Sequence, residues 1–275
     1  MPDQGDLLAR IANALERLAP EGLADTDWTA APAYVWAGTS CREVALIEAP
    51  ALTQLRGIDA QKERVVSNVS RFAARHAAHD MLLWGARGMG KSALLRAAII
   101  EAQSAGADRV ALVQVAQESL ARLSDLFDAL RPIDRQFLVF IDDLGFEDGD
   151  NNGPRLLRSW LEGGVEARPH NVRLAVTSNR RAIVARHASE QDDPINPRDA
   201  VDDRLALADR FGLSIGFHNC SQDEYLEIIA GYASEHGLQW DQSDALEWSR
   251  RRGARSGRVA WQYVVELAGR AGKVV

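Results

Sequence analysis

Short apolar runs alternate with longer stretches of helical period through most of this chain. Met81 to Trp84, Arg109 to Val115, Phe137 to Ile141 and Val172 to Val176 are each strand-length, rich in β-formers and mostly apolar, and Leu213 to Phe217 has the length of a fifth strand. Strands of that kind are buried on both faces, as in a parallel sheet. Between them lie segments with helical character: Gln61 to Arg75, the Ala/Leu-rich stretch after Ser92, Leu120 to Leu130, Leu156 to Glu162 and Val201 to Ala208. Alternating strands and helices predict an α/β unit with a five-stranded parallel sheet. After Phe217 the strand pattern stops. Ser221 opens a block in which Tyr225, Ile228, Ile229 and Tyr232 form one helical stripe, Leu246 and Trp248 lie on a second helix, and Val259 to Leu267 form a third. At the other end, Leu7, Leu8, Ile11, Leu15 and Leu18 are spaced for one helix face closed by Pro20, and Glu21 to Cys41, with Trp28, Tyr34 and Trp36, reads as irregular chain packed over an apolar surface. The expected divisions are 1–45, 46–218 and 219–275.

Composition narrows the picture without changing it. Over 275 residues the chain is 46% hydrophobic and 26% charged, which excludes disorder of the whole, and its net charge of −7 disfavours a surface built broadly for nucleic acid or anionic membrane. Cys41 and Cys220 are its two cysteines; far apart and without metal-ligand spacing, they suit a reducing compartment. No apolar run has membrane-spanning length and the N-terminus lacks a basic-then-apolar leader, so a cytoplasmic location is expected.

The chemistry is concentrated at strand ends. Met81 to Trp84 runs directly into Gly85-Ala86-Arg87-Gly88-Met89-Gly90-Lys91-Ser92 and then into a helical segment. This is G-x-x-x-x-G-K-[ST] in its strand–loop–helix context: glycines let backbone N–H groups wrap around phosphate oxygens, the helix start adds its positive dipole end, Lys91 reaches the β/γ-phosphates and Ser92 offers its hydroxyl to Mg²⁺. The strand Phe137 to Ile141 delivers Asp142 and Asp143 at its C-terminal end. Asp142 is expected to hold the Mg²⁺ water shell opposite Ser92, and either Asp143 or Glu147 to orient the attacking water. Val172 to Val176 leads into Thr177-Ser178-Asn179, which aims Asn179 at the γ-phosphate or the lytic water. Ile58, at the turn into the helix before the phosphate-loop strand, is either an adenine contact or an ordinary buried side chain, and Asp59 is the expected N-cap of that helix. The cluster Arg250 to Arg258 contacts phosphates or forms a solvated helix end.

A phosphate loop, an acidic strand end, a polar strand end, an Asp-Arg-Phe motif and a helical C-terminal block stand in the order typical of AAA+ ATPases. More narrowly, WGARGMGKS, FIDDLGFE, TSNRR, DRFGL and SGR resemble a bacterial ATP-binding family catalogued as domain of unknown function 815. The resemblance covers roughly residues 46 to 275. It implies a P-loop NTPase (AAA+) three-layer sandwich followed by a small all-helical lid. It also implies that Gly85 to Ser92 act as Walker A, Asp142-Asp143 as Walker B, Asn179 as sensor 1, Arg210 as the finger lent to a neighbouring subunit, and Arg258 as sensor 2. ATP and Mg²⁺ are the implied cofactors, and a homo-oligomer acting on a protein partner the implied assembly, with nucleic acid the less favoured partner and no membrane. Two departures stand out. Asp143 is one methylene shorter than the usual glutamate, so hydrolysis is expected to be slow or to rely on Glu147. Ala116 to Ser119 lack the aromatic-apolar-Gly loop of threading unfoldases, which disfavours polypeptide threading.

Overall fold

The computed structural model describes residues 26–106, 109–145, 157–161, 168–179 and 208–275. The expected N-terminal helix, Glu147, Arg180, Arg181 and most of the expected helix at 201–208 lie outside the described residues.

A seven-stranded sheet forms the centre, in the order β2-β1-β4-β5-β6-β3-β7. Its strands are β1 (Ala33–Trp36), β2 (Cys41–Val44), β3 (Met81–Gly85), β4 (Val110–Val115), β5 (Gln136–Ile141), β6 (Val172–Ser178) and β7 (Leu213–Phe217). The five expected strands are β3 to β7, and all run parallel. Two more extend one edge, so the sheet has seven strands rather than five. The stretch expected to be irregular forms the β1–β2 hairpin instead, with β1 antiparallel to β2 and parallel to β4. Its aromatics do pack: Trp36 and Tyr34 are fully buried, and Trp28 lies 4.9 Å from the Tyr34 ring.

Alternation within each strand builds the layers. Leu138 and Phe140 of β5 enter one core while Phe137, Val139 and Ile141 enter the other, and Met81 and Leu83 of β3 face opposite to Leu82. The first core is covered by helices α1 (Asp59–Ala73) and α2 (Lys91–Ser104), the second by α3 (Leu123–Leu130), which a 3₁₀ turn over Gln117–Arg122 precedes. The expected helix Leu120 to Leu130 is thus split. Helix α1 begins at Asp59, and Ile58 occupies its N-cap without a side-chain cap; Asp59, expected as the cap, instead pairs with Lys62 at 2.6 Å.

Three helices follow β7: α4 (Gln222–Glu235), α5 (Gln242–Arg252) and α6 (Gly257–Arg270). Each start is written in local sequence. Ser221 and Glu224 form a reciprocal capping box for α4, Asp241 accepts from the Asp244 N–H at the head of α5, and Ser256 accepts from the Val259 N–H at the head of α6. Tyr225, Ile228, Ile229, Tyr263 and Val264 join the same apolar cluster as Leu55, Ile58 and Met89, so the helical block packs against the phosphate-loop side of the sheet. Among the described residues no helix is long and apolar enough to cross a membrane.

Candidate functional site

Strand order assembles the site. β6 lies between the phosphate-loop strand β3 and the acidic strand β5, with Trp84 opposite Ser178 and Ile141 opposite Val176. The three C-terminal ends therefore converge, and Gly85, Asp142 and Asn179 leave the sheet side by side. This is the edge at which parallel sheets bind ligands.

The loop between β3 and α2 turns through left-handed backbone at Gly88 (φ 75°) and Gly90 (φ 85°), which delivers Lys91 as the first residue of α2. The Lys91 side chain is buried, 7% exposed, and its ammonium donates to Gly85 O at 2.8 Å, Ala86 O at 2.9 Å and Asn179 Oδ1 at 3.3 Å. Burial pushes its pKa below the ordinary lysine value, while the nearby Asp143 and Asp142 carboxylates oppose that shift. Ser92 Oγ donates to Asp142 Oδ1 at 2.6 Å, and Thr177 Oγ1 donates to the same oxygen at 2.5 Å. Thr177 Oγ1 also accepts from the Asp143 N–H at 2.8 Å, and Asn179 Nδ2 donates to Asp143 Oδ1. Asp143 itself has a left-handed backbone, φ 51°, a conformation that Asp tolerates better than most residues. Helix α6 is tied to the loop by the Arg258 N–H, which donates to Gly88 O at 3.0 Å.

These groups share one cavity of about 510 Å³. Its walls include the loop from Arg87 to Ser92, the carboxylates of Asp142 and Asp143, Asn179, Ile58 and Arg258. Gly85 and Ala86 stand behind Lys91 through the carbonyls it binds. Arg210, at the approach to β7, is not among the residues lining this cavity, and Glu147 lies outside the described residues. Several lining groups escaped the sequence reading. Thr177 sits two residues before Asn179 and so shares its strand face, a period-2 signal that pointed at it. Tyr232 and Trp261, whose rings lie 5.1 Å apart, form an apolar wall with Ile58 and Ile228. Trp261 is three residues after Arg258 and hence on the same helix face.

The arrangement can do two things. Along with the apolar wall it presents a cationic cradle of Lys91, Arg87 and Arg258 at a helix N-terminus, which suits a polyphosphate. Beside the cradle it presents a hydroxyl and a carboxylate in contact, the hard oxygen donors that Mg²⁺ takes.

Comparison with solved structures gives the same fold. The chain resembles the Thermotoga maritima RuvB Holliday junction branch migration motor (TM-score 0.51, 18% identity, covering 81% of this chain and 66% of that one). It also resembles the Aeropyrum pernix Orc1 protein in complex with DNA (TM-score 0.55, 15% identity, 80% and 63%). This chain thus spans less than two thirds of the length of either neighbour. No curated protein matches it in sequence. The fold is that of the AAA+ superfamily. A family model matches residues 29–271, and the chain belongs to that family, described as Protein of unknown function (DUF815).

Proposed function

We propose that this protein is an Mg²⁺-dependent AAA+ ATPase working as an oligomeric switch or remodeller of a macromolecular partner. One observation carries the reading: Ser92 Oγ lies 2.6 Å from Asp142 Oδ1 in the cavity that also holds Lys91 and Asn179. Gly85 to Ser92 bind the phosphates, Lys91 exchanging its backbone carbonyl partners for phosphate oxygens, and Arg87 and Arg258 add charge to the same wall. Ser92 and Asp142 hold Mg²⁺, which when bound neutralises charge on the phosphate oxygens. Asp143 or Glu147 orients the attacking water, and Asn179, which contacts both Lys91 and Asp143, couples the phosphate-binding and water-binding sides. Ile58 contacts the base. Arg210 serves the site of a neighbouring subunit. Residues 46–218, with the β1–β2 hairpin added to the edge of their sheet, form the nucleotide-binding unit and 219–275 its lid, which follows the phosphate loop through the Arg258–Gly88 bond. A protein partner and a cytoplasmic location fit the acidic charge; nucleic acid, with which one fold neighbour was solved, is the less favoured partner.

A second reading has one observation in its favour. The short Asp143 side chain is engaged by Asn179, so the protein binds ATP as a regulatory ligand and turns it over negligibly. Phosphate release with Mg-ATP, beside calorimetric titration of ATP, separates the two. The first reading expects Lys91→Ala to lose both binding and release. Turnover by purified Lys91→Ala equal to that of the parent refutes it, and tight binding by the parent without any release leaves the second reading standing.

A further inference from the structure

The nucleotide cavity contains more cationic side chains than phosphate binding and the finger role account for. Besides Lys91, Arg87 and Arg258 it is lined by Arg56 and Arg96. Arg96 lies on α2, one turn after Ser92 and on the same face of the helix. Its guanidinium has no hydrogen-bond or ion-pair partner among the described residues, and its Nε is buried with none. A buried guanidinium N–H without an acceptor is unfavourable, so a buried donor lining an otherwise functional cavity points to an acceptor supplied from outside the chain.

Geometry says which part of a nucleotide that acceptor belongs to. Phosphates occupy the N-terminus of α2, at Gly88 to Ser92. The apolar slot for a base begins next to the loop: a Cβ built on Gly90 would lie 3.6 Å from both Ile58 Cδ1 and Leu55 Cδ2, and Tyr232 and Trp261 close the far side. The sugar must join these two regions. Side chains on an α-helix lean back toward its N-terminus, so Arg96 reaches over Ala93, also in the cavity wall, toward that junction rather than toward the terminal phosphate. We infer that Arg96 reads the sugar, donating a charge-assisted hydrogen bond to one ribose hydroxyl, and that the site thereby favours nucleotides that keep this hydroxyl over those that lack it. The inference rests on the nucleotide-binding reading above and adds its specificity.

The test is a set of dissociation constants for Mg-ADP, 2′-deoxy-ADP and 3′-deoxy-ADP, measured by calorimetry on the full chain and on Arg96→Ala, Arg96→Lys and Arg56→Ala. The parent should bind one deoxy nucleotide about tenfold more weakly than ADP, the loss expected when a charged donor keeps no partner. Arg96→Ala should bring that ratio to within about twofold of unity, and Arg96→Lys, which keeps a charged donor, should retain part of it. Arg56→Ala removes the same charge from the same cavity and should leave the ratio unchanged. A structural role for Arg96 would weaken all three nucleotides alike. Equal affinity of the parent for all three, or the same ratio in Arg96→Ala as in the parent, overturns the inference while leaving nucleotide binding intact; failure of the parent to bind any of them overturns the underlying reading and this inference with it.

Discussion

The Thr177 hydroxyl donates to Asp142 Oδ1 across 2.5 Å. Thr177 Oγ1 in turn accepts from the Asp143 N–H at 2.8 Å, so one side chain of β6 fixes both the carboxylate paired with Ser92 and the turn that carries the next acid. Thr177 is buried and cannot exchange these bonds for water.

Thr177→Val keeps the shape of the side chain and removes its hydroxyl. The Asp143 N–H then loses its acceptor, at a stability loss of about 1–3 kcal/mol. Asp142 loses the partner that orients it, and outer-shell losses of this kind lower metal-dependent activity by about 10–100-fold. Phosphate release should fall in that range while ADP affinity without Mg²⁺ stays within about threefold of the parent. Thr177→Ser should restore most of the loss. Turnover by Thr177→Val equal to that of the parent would show that the Ser92–Asp142 pair needs no such support.

Gly85 opens the phosphate-loop motif, yet its requirement for glycine comes from the neighbouring strand. A Cβ there would sit 2.0 Å from Phe217 O of β7, and the residue has φ 119°. The obstructing atom belongs to the backbone of a paired strand, since the Ala86 N–H donates to that same carbonyl at 2.8 Å. Gly85→Ala should therefore destabilise the fold by roughly 2–4 kcal/mol through strain and overpacking together. Urea unfolding without nucleotide measures this directly. A change under about 0.5 kcal/mol would mean that the β3–β7 edge yields easily.

What was legible in the sequence follows from range. β3 to β6 could be read because they are largely buried on both faces and therefore mostly apolar, and the edge strand β7 because Leu213, Ile215 and Phe217 alternate with small residues. The roles of Lys91, Ser92 and Asp142 could be proposed because each lies on or beside a local motif. The β1–β2 hairpin was missed because its strands have four residues each, too few for a period, and β2 is mostly exposed. Its place was decided by pairing with β4, 70 and more residues away in the chain. Asp59 shows the opposite failure. A good capping residue stood at a helix start, but burial of Ile58 beside Gly90 set the entry of the chain, and Asp59 fell one position inside the helix. Thr177 lay at a strand end and Arg96 on a helix that the sequence had defined. What they face depends on β6 lying between β3 and β5 and on what lines the cavity, which no local pattern encodes.

The helical block carries a pH-dependent element of stability. Tyr225 and Tyr263 are fully buried, and both hydroxyls are pushed up to about 12, Tyr225 by burial first and then by Tyr263, Tyr263 by burial first and then by the Asp244 charge. In the unfolded chain each ionises near 10. Between those values the folded state holds more protons, so stability is intact below about pH 10 and falls as pH rises through about 12, by up to roughly 2–3 kcal/mol per tyrosine. Urea midpoints from about pH 8 to about pH 11 should fall, and Tyr225→Phe should fall less steeply than the parent. Identical slopes for the two proteins would place the alkaline loss elsewhere.

Arg210 precedes Phe211 and Gly212 at the approach to β7 and does not line the cavity that holds Lys91 and Asp142. If it acts as a finger for a neighbouring subunit, turnover per protomer should rise with protein concentration, and Arg210→Ala should abolish that rise while changing ADP affinity by less than about twofold. A finger is worth about a thousandfold or more in rate, so the loss is large enough to read. Mixing separates supply from a neighbour and supply within one chain. Arg210→Ala has an intact nucleotide site and no finger; Lys91→Ala has a finger and no working nucleotide site. Each alone should be inactive, yet in a mixed assembly the second lends its Arg210 to the first, and phosphate release should reappear at a fraction set by how often the two alternate. A mixture no more active than its separate components, at concentrations where the parent shows the cooperative rise, would mean that Arg210 serves its own chain or none.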